Sequence, residues 1–434
     1  NTITTAIASL LNSTTGQGGT FSVTFAVNTQ IGGTHFVTAT GSESLEVATT
    51  LFNIQPKITS LTPTEGNEGT VVAIAGRGCT GSVTIHFGAT YTIATVSTSI
   101  HGTFSATFIA DAQASSGSVT ITCVDTNNFA TVTFGVTAKI DLLNSASQKV
   151  GSISAKVGEV ATVTGTGFGS SQDIRIQFGT TLTITTVESS SSGTFSITFL
   201  VNTQVYGTKG ITAYQGSSPT SGIFVFIISN IVSSPSYGSV STILTVTGTG
   251  FETGTVRIDF GTHQTITTIA SSQHGTFSLT FRVNTQGWGT KVITVSTSQS
   301  ALNTATFIIT GAYIIRFIPV TGSVGTTVTL EGVGFDSTGS ITVEFGTNQT
   351  ITAVDANLDG TFSITFKVDT QCWGTKGITV HSDHQQIITK NKEQTPVSFI
   401  ITGAYFIMVN PTQGSVTTEI TIEGIGFDGS KTVT

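Results

Sequence analysis

The sequence predicts an all-β chain of antiparallel β-sandwiches strung in tandem. Three observations predict it: two phrases recur at the spacing of a domain, the segments between them alternate apolar and polar residues, and no stretch sustains a 3.6-residue period. The first phrase, Gly-Thr-Phe-Ser, begins at Gly19, Gly102, Gly193, Gly275 and Gly360, and its Phe recurs at intervals of 83, 91, 82 and 85 residues. The second, Gly-x-Gly-Phe, begins at Gly165, Gly248, Gly332 and Gly424, and once places Cys79 in the Phe position, at Gly76–Cys79. A period of domain length means whole domains in series rather than a solenoid of short units.

Each element of one repeat can be justified in order from Ile314 to Tyr405. An extended lead-in, Ile315 to Pro319, is followed by Thr327-Val328-Thr329-Leu330-Glu331, whose alternation marks a half-buried strand. Gly332-Val333-Gly334-Phe335 interrupts it; the glycines permit a bulge or a positive φ, and Phe335 can turn back into the core. Ile341 to Phe345 alternates again and stops at Gly346, and a short segment, Thr350 to Thr352, follows. Asp359-Gly360 is a turn signal leading into Phe362 to Val368, the cleanest alternation of the repeat. Gly377 to Val380 and Val397 to Ile401 complete about seven strands. Outward positions are mostly Thr, which favours strand through its β-branch and still meets water.

The run Gly-(Thr/Ser)-x-Val-Thr-(Val/Leu)-x-Gly-x-Gly-Phe, followed by an Ile-x-Val-x-Phe-Gly strand, resembles the Ig-like, early-set domains of the IPT/TIG type, found in tandem in bacterial and archaeal cell-surface proteins. The resemblance covers essentially the whole chain and carries no active-site residues. It implies tandem Ig-like sandwiches of surface-layer or extracellular filament proteins. The expected division is a partial repeat at 1–56 lacking its opening strands, repeats at 57–139, 140–229, 230–313 and 314–405, and the opening strands of a further repeat at 406–434. Thr306 to Tyr313 runs into Ile314, and Phe399 to Tyr405 into Phe406, with no Gly/Ser- or Pro-rich spacer, so the expected object is a semi-rigid rod. At the ends, Thr2 to Thr5 matches Thr265 to Thr268, and Gly426 to Thr434 matches the stretch from Gly334. Laid end to end, the two partial repeats are expected to rebuild one sandwich, short of about four residues around the Phe-Gly turn. Two explanations are expected to compete: a window from a longer array, or a subunit whose tail completes its neighbour's head by strand addition.

Composition narrows the function. Charged residues are 9% of the chain, against roughly 25% in ordinary soluble domains, and Thr, Ser and 49 Gly take their place. A hydroxyl surface leaves salt little to screen and suits an extracellular setting. The net charge of −7 and the lack of a basic cluster argue against nucleic acid as a partner. No apolar run is long enough to span a bilayer as a helix.

Candidate sites are few. The loop Asn/Asp-Thr-Gln-x-x-Gly-Thr recurs at Asn28, Asn202, Asn284 and Asp369. Its side chains either bond the backbone of a strand crossover, the stronger reading, or the loop makes an interdomain or inter-subunit contact with Tyr206, Trp288 and Trp373 as anchors. Cys79 and Cys123 both point inward in one repeat, as a disulfide in an oxidising compartment or as two small buried hydrophobes, while Cys372 is left over as a free thiol or an intermolecular tether. Asn12 and Asn348 head glycosylation sequons. His381, Asp383 and His384 read as a solvated loop rather than a metal site. The single Asp residues 336, 359 and 428 fall short of a calcium site, though a weak interdomain calcium stays open. No triad, carboxylate pair or phosphate-cradling loop recurs, so no catalytic residues or cofactor are assigned. The expectation is a structural subunit of an extracellular surface layer or filament that binds copies of itself and carries glycans. An adhesin stalk or the spacer of a secreted enzyme is the alternative.

Overall fold

The computed structural model describes residues 20–113, 118–125, 128–298, 302–382, 387–393 and 395–434. The chain divides into two compact bodies, one of residues 1–153, 160–199 and 209–225, the other of residues 154–159, 200–208 and 226–434. Both are built of strands.

In the second body, residues 313–403 form two facing sheets. The first runs Tyr313–Ile318, Thr327–Val333, Phe362–Lys367, antiparallel throughout. The second runs Thr321–Ser323, Ser398–Gly403, Gly374–Ser382, Ser340–Phe345, Asn348–Asp355, with the two-residue hairpin partner Ile387–Ile388 off Gly374–Ser382. Its one parallel pair is Thr321–Ser323 with Ser398–Gly403. Residues 230–311 repeat this order, as do residues 57–136 of the first body. Further along the first body, Lys139–Leu143 pairs with Val160–Thr166, and Asp173–Phe178 lies between Thr181–Glu188 and residues 211–215. Each repeat is therefore an Ig-like sandwich, and the chain is all-β with repeated units, as its alternation predicts.

The period-2 pattern sets the core. Val328 and Leu330 from the first sheet, and Ile341, Val343, Phe345, Val380, Phe399 and Ile401 from the second, are sealed from solvent. Each such side chain contributes about 1.5–3 kcal/mol on burial. At the centre, Phe335 meets Phe362 edge to face, ring centroids 4.9 Å apart. Phe362 lies directly over Gly332, where a Cβ would collide with its ring. The two recurrent phrases are thus the two halves of one packing unit: the first glycine of Gly-x-Gly-Phe leaves the space that the Phe of Gly-Thr-Phe-Ser fills. The same stack joins Phe168 to Phe195 and Phe251 to Phe277, each at 5.1 Å.

A buried amide holds the far end of the second, fourth and fifth sandwiches. Gln371 donates from Nε2 to the Phe345 carbonyl at 2.8 Å, and its Oε1 accepts the Thr347 N–H at 3.3 Å. Gln286 does the same for Phe260 and Thr262, at 3.0 and 3.2 Å. The loop's leading Asn or Asp orients this amide, since Gln286 Nε2 also donates to Asn284 Oδ1 and Gln371 Nε2 to Asp369 Oδ1. The side chains of the recurrent loop therefore do bond backbone, and what they hold is the Phe-Gly turn between Ser340–Phe345 and Asn348–Asp355. Gln113 makes the homologous bond to Ala89 N–H at 3.0 Å, so Asp111-Ala112-Gln113 is a fifth instance of this loop.

Two elements differ from the sequence expectation. Each full sandwich has eight principal strands rather than seven, because Thr321–Ser323 and its homologues are held by parallel pairing and are too short to show alternation. The segment expected at 350–352 is an eight-residue edge strand, Asn348–Asp355. A register shift between Val343 and Phe345, with Thr350 at φ 146°, breaks the alternation of its first half.

Replacing Gln371 with Ala leaves the buried Phe345 carbonyl unpaired and frees the part-buried Thr347 N–H, and is expected to destabilise the fifth repeat by about 1–3 kcal/mol. Faster amide exchange at residues 345–347 in the full chain, with residues 258–262 of the fourth repeat unchanged, is the measurement.

Candidate functional site: the joint between repeats

Three recurrent pieces of sequence meet where one repeat hands over to the next. The first is the connecting strand. In the second body one residue, Ala312, separates Asn303–Gly311 from Tyr313–Ile318, and Ala404 alone separates Ser398–Gly403 from Tyr405–Asn410. In the first body two residues separate Phe129–Val136 from Lys139–Leu143.

The second piece is the Gly-x-Gly-Phe turn. Gly334 has φ +80°, and a Cβ there would sit 2.7 Å from the Gly311 carbonyl in the connecting strand. Gly250 meets the Ile228 carbonyl in the same way at 2.8 Å. The turn can lie flat on the connection only without a side chain.

The third piece is the Asn/Asp-Thr-Gln loop of the preceding repeat, whose fifth residue donates its backbone N–H to the carbonyl of the residue in the Phe slot of the next repeat. Trp288 donates to Phe335 at 2.9 Å, Tyr206 to Phe251 at 3.2 Å, Trp373 to Phe427 at 3.2 Å and Gly32 to Cys79 at 3.3 Å. Because Gln clamps one end of this loop inside its own sandwich, the donor is presented with little freedom.

Two joints carry a further lock that the sequence reading missed. The Tyr313 hydroxyl donates to the Val240 carbonyl at 3.2 Å, and the Tyr405 hydroxyl to the Val324 carbonyl at 3.3 Å. Tyr313, Val240 and Val333 form a small buried cluster of their own, separate from the sandwich cores. The signal was present as the twice-used Gly-Ala-Tyr at Gly311 and Gly403.

The remaining sequence candidates fall as follows. Tyr206 packs edge to face on Phe226 at 5.3 Å, Trp288 is half-buried, and Trp373 is 58% exposed. Cys79 and Cys123 are buried free thiols in one core cluster, and Cys372 is an exposed free thiol. Burial and the nearby Asp125 charge push the Cys79 thiol up to about 11; burial and Cys79 push Cys123 up to about 12. Asn348 is exposed at the tip of a hairpin, whereas Asn12 lies outside the described residues. His381 lies on the strand Gly374–Ser382 with Nε2 3.1 Å from Glu344 Oε1, an ion-pair distance off hydrogen-bond geometry; Asp383 and His384 lie outside the described residues. Among the described residues no three His, Cys, Asp or Glu come together to hold a metal, and no helix is long and apolar enough to cross a membrane.

Two outcomes are expected. Gly334→Ala forces an L side chain into the left-handed region, a strain of about 1–2 kcal/mol, and into the Gly311 carbonyl. Proteolysis of the connection at residues 311–313 then rises by about an order of magnitude while the cores of both repeats keep their amide protection. Alkylation of the native chain modifies Cys372 alone, and unfolding under non-reducing conditions exposes two more thiols; a single reactive thiol after unfolding would mean that Cys79 and Cys123 are bridged.

No protein-family model matches the chain, and no curated protein does. Among solved structures it is similar to a D1–D4 ectodomain fragment of ICAM-5, at 11% identity over 80% of this chain and 99% of that one, with a TM-score of 0.21. It is also similar to invasin, a bacterial integrin-binding protein, at 13% identity over 81% of this chain and 80% of that one, with a TM-score of 0.19. The activated alpha-2-macroglobulin of Escherichia coli matches at 9% identity and a TM-score of 0.17 over 82% of this chain, which spans 44% of that protein's length. Likeness at this level carries no argument about function; the assignment of Ig-like sandwiches rests on strand order and register.

Proposed function

We propose that the chain is a structural component of an extracellular assembly, a surface layer or filament, in which its work is to fix one Ig-like domain against the next. The observation that carries this reading is the recurrent joint. The same backbone hydrogen bond, from the Asn/Asp-Thr-Gln loop to the Gly-x-Gly-Phe turn, is made at four of the five joints by residues as different as Gly32, Tyr206, Trp288 and Trp373. A contact that keeps its main-chain geometry while its side chain varies is one whose purpose is alignment.

Supporting features agree with a position outside the cell. The surface is Thr-rich with 9% charge, so cohesion leans on apolar cores and main-chain bonds rather than on screenable ion pairs. Asn348 presents its sequon on an exposed hairpin tip, where a glycan would project into solvent. The paired strands Gly33–Thr40 and Val47–Ile54 expose Phe36 and Leu51, and the pair Tyr405–Asn410 and Thr421–Ile425 exposes Phe406 and Ile422. Strands of the same repeat are the complement these faces fit, whether supplied in cis or by a neighbouring subunit.

Negative-stain microscopy of the native material tests the reading. Ordered filaments or sheets with a period set by the repeat are expected. Dispersed rods ending in a globular module would replace the proposal with an adhesin stalk or enzyme spacer.

A further inference from the structure

The joint also carries charge, and the sequence distributes it in a correlated way. A lysine follows the Asn/Asp-Thr-Gln loop in three repeats, in Gly-Thr-Lys at Lys209, Lys291 and Lys376. In each following repeat the residue after the Gly-x-Gly-Phe motif is acidic: Glu252, Asp336 and Asp428. Where the Lys position holds another residue, the acid is missing as well. His35 precedes a repeat with Thr80 at that place, and Val119 precedes one with Gly169. Cation and acid are present together or absent together at all five joints.

At the joint between the fourth and fifth repeats the geometry gives this pattern a physical basis. Lys291 is on the strand Gly289–Ser296, and its Nζ donates to the Trp288 carbonyl at 3.4 Å. The Trp288 N–H in turn donates across the joint to the Phe335 carbonyl at 2.9 Å, and Asp336 is the next residue. The ammonium therefore sits on the carbonyl of the residue whose N–H makes the joint bond, and the acid follows the residue that accepts it. Burial lowers the Lys291 pKa and the Asp336 charge opposes that fall, so the carboxylate acts on this ammonium through space. Beside it the loop and turn are in close contact, since a Cβ on Gly287 would collide with Ser337.

We infer that this lysine and the acid across the joint form a docking code, by which a repeat bearing Gly-Thr-Lys accepts as its successor a repeat with Asp or Glu after its Gly-x-Gly-Phe turn. The inference rests on the alignment role proposed above and names what selects the partner surface. The main-chain bond is blind to sequence, because Gly32, Tyr206, Trp288 and Trp373 offer the same N–H to the same carbonyl position. The charge pair distinguishes repeats: a lysine set against a turn with Thr80 or Gly169 in place of the acid lacks a counter-charge in a partly desolvated place, and an acid set against His35 or Val119 lacks its ordinary partner lysine. An array with Lys–acid joints in one stretch and neutral joints in another thereby keeps its repeats in order when copies meet.

Charge reversal in the full chain tests this. The readout is hydrogen exchange at the Trp288 amide, with the Leu244 and Val246 amides as the check that the fourth repeat stays folded. Lys291→Glu is expected to speed exchange at Trp288 by tenfold or more, and Asp336→Lys alone to do the same. The double variant Lys291→Glu with Asp336→Lys is expected to return exchange to within about threefold of the parent, and added salt to narrow the gap between single and double variants. Lys291→Met separates packing from charge: it retains the stem, and under this account its effect is smaller than that of Lys291→Glu. If the double variant exchanges as fast as the singles while the control amides stay protected, the charge code is wrong and the lysine acts only through packing. If the singles change nothing at Trp288, the joint bond stands without it and the inference is likewise overturned; the alignment role of the joint survives either result.

Discussion

Everything in this molecule depends on phenylalanine lying over a glycine. Phe362 covers Gly332 because no side chain stands in the way, and its edge-to-face contact with Phe335 ties the bulge after one strand to the strand three places later. That contact fixes the shape of the Gly-x-Gly-Phe turn, and the turn's outer surface is half of the joint. Core and joint are consequently two sides of four residues. A change in the core stack moves the carbonyl that receives the previous repeat's N–H, and strain at the joint is passed to the two aromatic rings behind it.

The other half of the joint is built with similar economy. Gln286 holds the Phe-Gly turn of its own sandwich by two hydrogen bonds, and the residue two positions on offers its N–H to the next repeat. The buried amide is expensive to leave unsatisfied, which makes the loop's conformation all-or-none. Repeats therefore meet with both surfaces already set by their own folding, and little ordering remains to oppose docking. This explains how connections of one or two residues suffice, and how Gly32 can do at one joint what Trp288 does at another.

Much of this was legible in the sequence. The sandwich follows from period-2 segments such as Phe362–Lys367, and the bulge from Gly332 and Gly334, because both are local in the chain. The Asn/Asp-Thr-Gln loop could be recognised as something held by its side chains. Its partner could not be named, since the Gln bonds a turn some 24 residues earlier in the chain and the loop's N–H bonds a carbonyl in another repeat. The aromatic residues drew attention to the right position for a different reason from the one the structure gives: the bond there belongs to the backbone. Short parallel strands such as Thr321–Ser323 leave no pattern, because pairing rather than side-chain burial holds them. The tyrosine locks and the Lys–acid correlation were visible as letters but carry meaning only once the joint brings them together.

The most direct test of the claim that each joint fixes one repeat on the next is a pulsed electron-spin distance measurement in the full chain. Nitroxides placed at the homologous exposed positions of the fourth and fifth repeats, Thr268→Cys and Ala353→Cys, in a Cys372→Ser background, would report the joint that Trp288 and Tyr313 hold. A single narrow distance distribution, no broader than the label itself requires, is predicted. A broad or multimodal distribution with both sandwiches folded would show that the joint is a flexible tether, and would contradict the account.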